Sequence, residues 1–293
     1  MSKLISLKNV ACQYEGSSRP VLVVKELTVL EGEMVFFVGP SGVGKSTILE
    51  TLGLMSDTIT KAKGNDSELT FLDKQQNALS FYDLWDKKEK DISRFRRENF
   101  SFIFQSTNLF ESLSAIENVY LPTLFKRNDR AESIKNTRMV IREIFPGDSE
   151  IILSKNPKIT EISGGQRQRL AFCRAVAHDF NILFADEPTG NLDVANSHNL
   201  MNALKLNLEQ KKGTAIVVSH DIQLAMNFAT KIVLITREQS DIPNGNNKKE
   251  IFGLIQSKNT FVKDEDNSWY SLENPNKKIK SEDIKQYLIS QFN

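Results

Sequence analysis

The stretch Met34-Val-Phe-Phe-Val38-Gly39-Pro-Ser-Gly-Val-Gly-Lys45-Ser46-Thr47, continued by an apolar-patterned run from Ile48 to Met55, decides the fold. Five consecutive apolar residues predict a buried strand, and the run after Thr47 predicts a helix. Between them Gly39, Pro40, Ser41, Gly42, Val43, Gly44, Lys45, Ser46 and Thr47 satisfy G-x-x-x-x-G-K-[ST] in full. With glycine at roughly 7% of residues in an average protein, a chance match in a chain of this length is about a 1% event. The glycines let backbone N–H groups converge on phosphate oxygens, and the helix N-terminus adds partial positive charge. Lys45 is then in reach of the terminal phosphates of a nucleoside triphosphate, and the Ser46 hydroxyl is suited to Mg²⁺.

Two further stretches carry chemistry. Ile182-Leu-Phe-Ala-Asp186-Glu187 is an apolar strand closed by two carboxylates, which a parallel sheet delivers to its carboxyl edge, where such sheets bind ligands. Asp186 suits a metal held through water, and Glu187 suits the general base that polarises an attacking water. Ser163-Gly-Gly-Gln166, followed by Arg167-Gln168-Arg169-Leu170, predicts a helix capped by Ser163. Gly164 and Gly165 are poor helix formers, so their place is at a start that an anion approaches closely.

Outward from these motifs, strand and helix alternate. Leu4 to Ala11 and Val21 to Leu30 predict two more strands at the N-terminus. From Ile162 onward the order is a helix to about Ala177, the strand Ile182 to Ala185, a helix over Ala195 to Gln210, the strand Thr214 to Ser219, a helix from Ile222 and the strand Lys231 to Thr236. That alternation implies a mostly parallel sheet covered by helices. Residues from about Asn108 to Lys158 predict a helical lobe stopped at Pro146-Gly147, and Asp86 to Arg97 is a charged stretch ahead of a strand at Phe100 to Phe104. The expected layout is a nucleotide-binding domain over 1–237, with a helical subdomain at about 106–160 and an insertion at about 56–91. An element over 238–293 is appended, with short strands at Ile251 to Ile255, Thr260 to Val262 and Trp269 to Leu272 and a last helix from Ser281. Each motif occurs once, which predicts half of a two-site machine.

The bulk numbers exclude several classes. Lys plus Arg at 38 against Asp plus Glu at 37 leaves a formal charge of +1, so no global field draws the chain to nucleic acid or an anionic bilayer. Cys12 and Cys173 stand far apart, outside any metal or disulfide pattern, and are expected as packing residues in a reducing cytosol. No apolar run approaches the roughly 18 residues of a membrane span, so membrane helices are expected from another chain.

The loop at Gly39, the SGGQ turn and the apolar strand ending in Asp-Glu, in that order, resemble the ATPase subunits of ABC transporters over roughly residues 3 to 236. The resemblance implies an α/β P-loop NTPase with a RecA-like core sheet, an N-terminal antiparallel β part and a helical subdomain. It implies ATP and Mg²⁺ as ligands, with Lys45, Gln105, Glu187 and His220 catalytic and Ser46, Gln105 and Asp186 around the metal. Gln105 in FIFQ resembles the glutamine that touches Mg²⁺ and water and senses the membrane partner. His220 in SHD resembles the switch histidine at the γ-phosphate, and Tyr14 in CQYEG sits where an aromatic stacks on adenine. Asn191-Leu192-Asp193 resembles the loop that crosses the dimer seam. Ser163, Gly164, Gly165 and Gln166 of one chain would close over the ATP held by the other.

Glu187-Pro-Thr-Gly-Asn-Leu-Asp193 and FQSTNLF with SAIENVYLP are similar to the lipoprotein-release, macrolide-efflux and cell-division branch. Ile162 in place of the usual Leu, the longer 56–91 region without a proline-threonine-glycine turn, and the tail depart from it. The implied partners are a second ATPase chain, in a homodimer, and integral membrane permease subunits, with no nucleic acid. The implied place is the cytoplasm, peripheral on the cytoplasmic face of the inner membrane. The alternative is a soluble ABC ATPase acting on nucleic acid or ribosomes, against which stand the single motif set and the neutral charge.

Overall fold

The computed structural model describes residues 2–59, 67–73, 77–127, 129–145, 147–190, 192–239 and 251–292. Parts of the expected insertion and tail, together with Pro146 and Asn191, lie outside the described residues. In chain order the N-terminal part supplies β1 (Lys3–Cys12), β2 (Leu22–Leu30), β3 (Met34–Val38), α1 (Lys45–Leu52), β4 (Glu68–Leu72), β5 (Ala78–Ser80), α2 (Phe81–Trp85) and α3 (Glu89–Asn99). The middle supplies β6 (Phe100–Ile103), α4 (Ala115–Arg127), α5 (Arg130–Ile144), α6 (Ser149–Lys155), α7 (Gly164–Val176), β7 (Ile182–Asp186) and α8 (Val194–Lys211). The last part supplies β8 (Thr214–Val218), α9 (Ile222–Phe228), β9 (Lys231–Leu234), β10 (Thr236–Gln239), β11 (Ile251–Ile255), β12 (Thr260–Lys263), β13 (Trp269–Ser271), β14 (Asn274–Ile279) and α10 (Ser281–Ser290). These fall into two compact units, 1–96 with 214–293 and 97–213.

In the first unit β3 lies between β8 and β9, parallel to both, and every residue of the three strands is buried. Burial on both faces is why these strands read as unbroken apolar runs. The one charge within them, Lys231, is buried and satisfied: its ammonium lies 2.7 Å from a Glu33 carboxylate oxygen and 2.7 Å from the Thr28 carbonyl. Removing either partner would strand the other in the core, at a cost of about 3–5 kcal/mol. A second sheet runs in the order β10-β11-β2-β1-β4-β5. In it β1 is antiparallel to β2 and to β4, as a half-exposed sheet with alternating burial requires.

Residues 251–292 enter both sheets of this unit. β11 runs parallel to β2, while β12, β13 and β14 extend antiparallel from β9. Trp269 of β13 is fully buried, and Ile284 and Leu288 of α10 are also buried. The sequence predicts one strand from Lys231 to Thr236, but the structure divides it: β9 stays beside β3, and β10 leaves for the other sheet after Ile235. The division falls where the Ile235 carbonyl meets Gly39, 2.6 Å from where a Cβ on that glycine would stand.

In the second unit β6 and β7 pair in parallel, with Phe184 stacked on Phe102 (5.5 Å between centroids) and edge-on to Phe100 (5.1 Å). α4 starts at Ala115, later than the expected helical lobe. Ser114 and Glu117 set that start: the Ser114 amide donates to Glu117 Oε2 (2.8 Å), and the Ser114 hydroxyl lies 3.4 Å from the Glu117 amide. Ahead of it Asn108 is left-handed (φ 46°), and buried Asn118 holds the loop by accepting from the Phe110 amide and donating to the Phe110 carbonyl.

Candidate functional site

The first unit builds a phosphate cradle. β3 ends at Val38, and Gly39, Gly42 and Gly44 take φ values of 154°, 74° and 97°, a region that L side chains adopt only under strain. Gly44 is the N-cap of α1 and brings no side-chain cap, so the helix start is left to a ligand. The Lys45 ammonium curls back to the carbonyls of Gly39 and Pro40, 2.8 Å from each. Ser41, Gly42 and Ser46 are exposed, while Val43 and Thr47 are buried. Tyr14, 42% exposed, places its hydroxyl 3.0 Å from Thr47 Oγ1, which fixes an aromatic ring beside the cradle. His220 enters through the parallel register: Phe37 pairs with Val218, and the Ser219 amide donates to the Phe37 carbonyl (3.2 Å). The exposed His220 therefore leaves the sheet at the edge where Gly39 leaves it.

The second unit gathers the remaining residues by the same device. Ile103 pairs with Ala185, so Gln105, Asp186 and Glu187 emerge at one carboxyl edge. The two carboxylates are half-buried and Gln105 is exposed. Glu187 is left-handed at φ 47°, a conformation that costs a non-glycine residue about 1–3 kcal/mol and clusters at functional sites.

α7 opens with a complete capping box. The Gln166 amide donates to Ser163 Oγ (3.2 Å) and the Ser163 amide to Gln166 Oε1 (3.0 Å). A Cβ built on Gly164 would meet nothing within 4 Å, and one on Gly165 would touch only Leu192 at 3.5 Å. Asp193 caps α8, with Oδ1 accepting from the Asn196 amide (2.8 Å) and Oδ2 from the Asn196 side chain (2.6 Å). Those bonds hold its carboxyl below the usual carboxylate range.

Two residues of α7 that sequence reasoning did not single out tie these pieces together. Buried Gln168 donates to the Pro188 carbonyl (2.5 Å), joining α7 to the turn after Glu187. Arg174 donates to the carbonyls of Asn108 (2.6 Å) and Thr107 (2.8 Å), in the loop after Gln105. Their partners are distant backbone atoms, for which the sequence holds no spacing signal. Both cysteines are buried, and burial pushes the Cys12 thiol up to about 11 and the Cys173 thiol well above its ordinary value, so neither is a thiolate at neutral pH.

A bare glycine cradle with its lysine, and buried parallel strands ending in an acid pair and a histidine, define an α/β P-loop nucleoside triphosphatase. Residues 24–190 match the ABC transporter family model, and the chain belongs to that family. It is similar to the lipoprotein-releasing system ATP-binding protein LolD of Aquifex aeolicus, at 36% identity over 77% of this chain and 91% of that protein. It is also similar to the bacitracin export ATP-binding protein BceA of Halalkalibacterium halodurans, at 32% identity over 85% and 87%. Among solved structures, a dimeric post-hydrolysis state of the ATP-binding cassette MJ0796 bound to ADP and Pi superposes with a TM-score of 0.63 at 32% identity, over 79% of this chain and 94% of that one. The chain is therefore an ABC transporter ATP-binding subunit and an ATPase. No helix among the described residues is long and apolar enough to cross a membrane.

Proposed function

We propose that two copies of this chain close head to tail on two ATP molecules, and that closing and reopening drive a separate membrane permease of the lipoprotein-release or peptide and macrolide export branch. The observation that carries the composite site is the open face at Gly164. The Ser163–Gln166 capping box satisfies its own donors, while the glycine backbone beside it is uncovered. A glycine kept at such a place serves close approach by something from outside the chain. The dimeric MJ0796 cassette, bound to ADP and Pi, supports the same arrangement here.

In this reading Gly39 to Thr47 hold the phosphates and Tyr14 stacks on adenine. Lys45 neutralises the β and γ phosphates, His220 contacts the γ-phosphate, and Asp193 faces the dimer seam. Glu187 takes the proton of the attacking water, which Gln105 helps to orient. The hydroxyl of Ser46, the amide of Gln105 and the carboxylate of Asp186 are hard oxygen donors that fit Mg²⁺. When bound, Mg²⁺ adds positive charge against the phosphate oxygens. The chain then sits on the cytoplasmic face of the membrane, held there by its permease.

Glu187→Gln is expected to keep ATP binding, to slow hydrolysis by about 100-fold or more, and to accumulate an ATP-dependent dimer in light scattering. Unchanged turnover would remove Glu187 from the chemistry. Purification in mild detergent is expected to recover an integral membrane partner; recovery of ribosomes or nucleic acid alone would favour the soluble alternative.

A further inference from the structure

We infer that Arg237 is a positioning residue for the phosphate loop and that β10 and β11 form a strap along the loop's outer side; the inference rests on reading Gly39 to Thr47 as the ATP cradle. Three contacts carry it. The Ile235 carbonyl, at the point where β9 gives way to β10, presses on Gly39, 2.6 Å from where a Cβ would stand. One residue into β10, Arg237 Nη2 donates to the Ser41 carbonyl at 2.8 Å. On β11, Gly253 lies so close to the loop that a Cβ there would stand 2.0 Å from the Val43 carbonyl. Gly253 is itself anchored by donating to the Val21 carbonyl at 2.8 Å.

The geometry has a direct chemical meaning. In a planar trans peptide the carbonyl of one residue points opposite to the N–H of the next. Arg237 fixes the Ser41 carbonyl outward, so the Gly42 N–H is turned the other way. The Val43 carbonyl, facing Gly253, turns the Gly44 N–H likewise. Lys45 holds the carbonyls of Gly39 and Pro40, so cations from two parts of the chain orient three successive peptide groups. A phosphate cradle works only when its N–H groups converge, and Gly42 and Gly44, as glycines, have backbones that need such holding. Without Arg237 the loop would have to order itself when ATP arrives, and that ordering would appear as weaker binding. Arg237 also lines a cleft of about 270 Å³ with Arg19, Gly42 and Phe252.

The test compares the full-length chain with Arg237→Ala and Arg237→Lys, measuring the Kd for ATP, KM, kcat and thermal melting. Arg237 is exposed, so both variants are expected to melt with the parent protein. Arg237→Ala should raise Kd and KM for ATP by about fivefold, the size of one exposed charge-assisted hydrogen bond, with kcat within about twofold. Arg237→Lys, which restores one cationic donor, should recover part of the affinity. Unchanged Kd and KM in Arg237→Ala would overturn the inference, as would a fall in kcat at constant KM or a lysine variant no better than alanine. A parent protein that neither binds nor hydrolyses ATP would instead defeat the reading of the cradle itself.

Discussion

The two glycine-bearing helix starts, Gly44 before α1 and Ser163 before α7, solve opposite problems. At the first, three glycines hold positive φ, no side chain caps the helix, and Lys45 is folded back on the loop carbonyls. At the second, φ is ordinary, the N-cap and third-position donors are satisfied within the capping box, and the glycines are marked by open space beside them. The first turn needs glycine for conformation, the second for access. On the proposed function both turns serve anion recognition, one by conformation and the other by access, and substitution separates them.

The largest effect is expected at Lys45, the one charge of the first turn. Lys45→Ala should lower turnover by about 100-fold or more, because on the proposed function it removes a preorganised donor at the transferring phosphoryl group. Steady-state ATPase rates with a direct ATP-binding titration check it, and persistence of both would show that the first turn is only a structural cap. Next, alanine at the two turns should have different effects on stability. Gly39→Ala sets a methyl 2.6 Å from the Ile235 carbonyl at φ 154° and should lower stability by about 1–3 kcal/mol. Gly164→Ala meets nothing and should leave stability equal or slightly higher, yet weaken ATP-dependent dimerisation. Denaturant midpoints and light scattering in a Glu187→Gln background decide this; equal destabilisation at both sites would erase the distinction.

The smallest effect concerns a third helix start, that of α8. Asp193 titrates lower in the folded chain because it accepts from the Asn196 amide. Its contribution is present above the ordinary aspartate range and disappears as pH falls through the depressed folded value. Asp193→Asn keeps an acceptor at the cap and should flatten the acid limb of the urea midpoint against pH, read from about pH 5 to below the ordinary aspartate range. An unchanged acid limb would place that pH dependence elsewhere.

Much of the frame was legible because burial on both faces writes itself as an apolar run, as in β3, β7 and β8. The cradle was legible because its glycines stand at fixed spacing, and α7 because Ser163 and Gln166 form a local cap. The hidden parts are those decided at a distance. Between Lys231 and Thr236 the run Ile232 to Ile235 is unbroken apolar sequence, and nothing in it tells that Ile235 must turn to meet Gly39. The charged stretch ahead of β6 conceals α3, whose Ile92 is buried and whose Phe95 packs edge-on to Phe71 at 5.4 Å. Gln168, Arg174 and Arg237 act on carbonyls far along the chain, and long-range side-chain to backbone bonds leave no periodicity to read.

The residues after 250 also bear on solubility. They add strands to the outer sides of β2 and β9, backbone edges that would otherwise offer unpaired N–H and C=O groups to any other extended chain. Removing residues 251–292 would thus leave the glycine cradle in the sequence while uncovering two templates for aggregation.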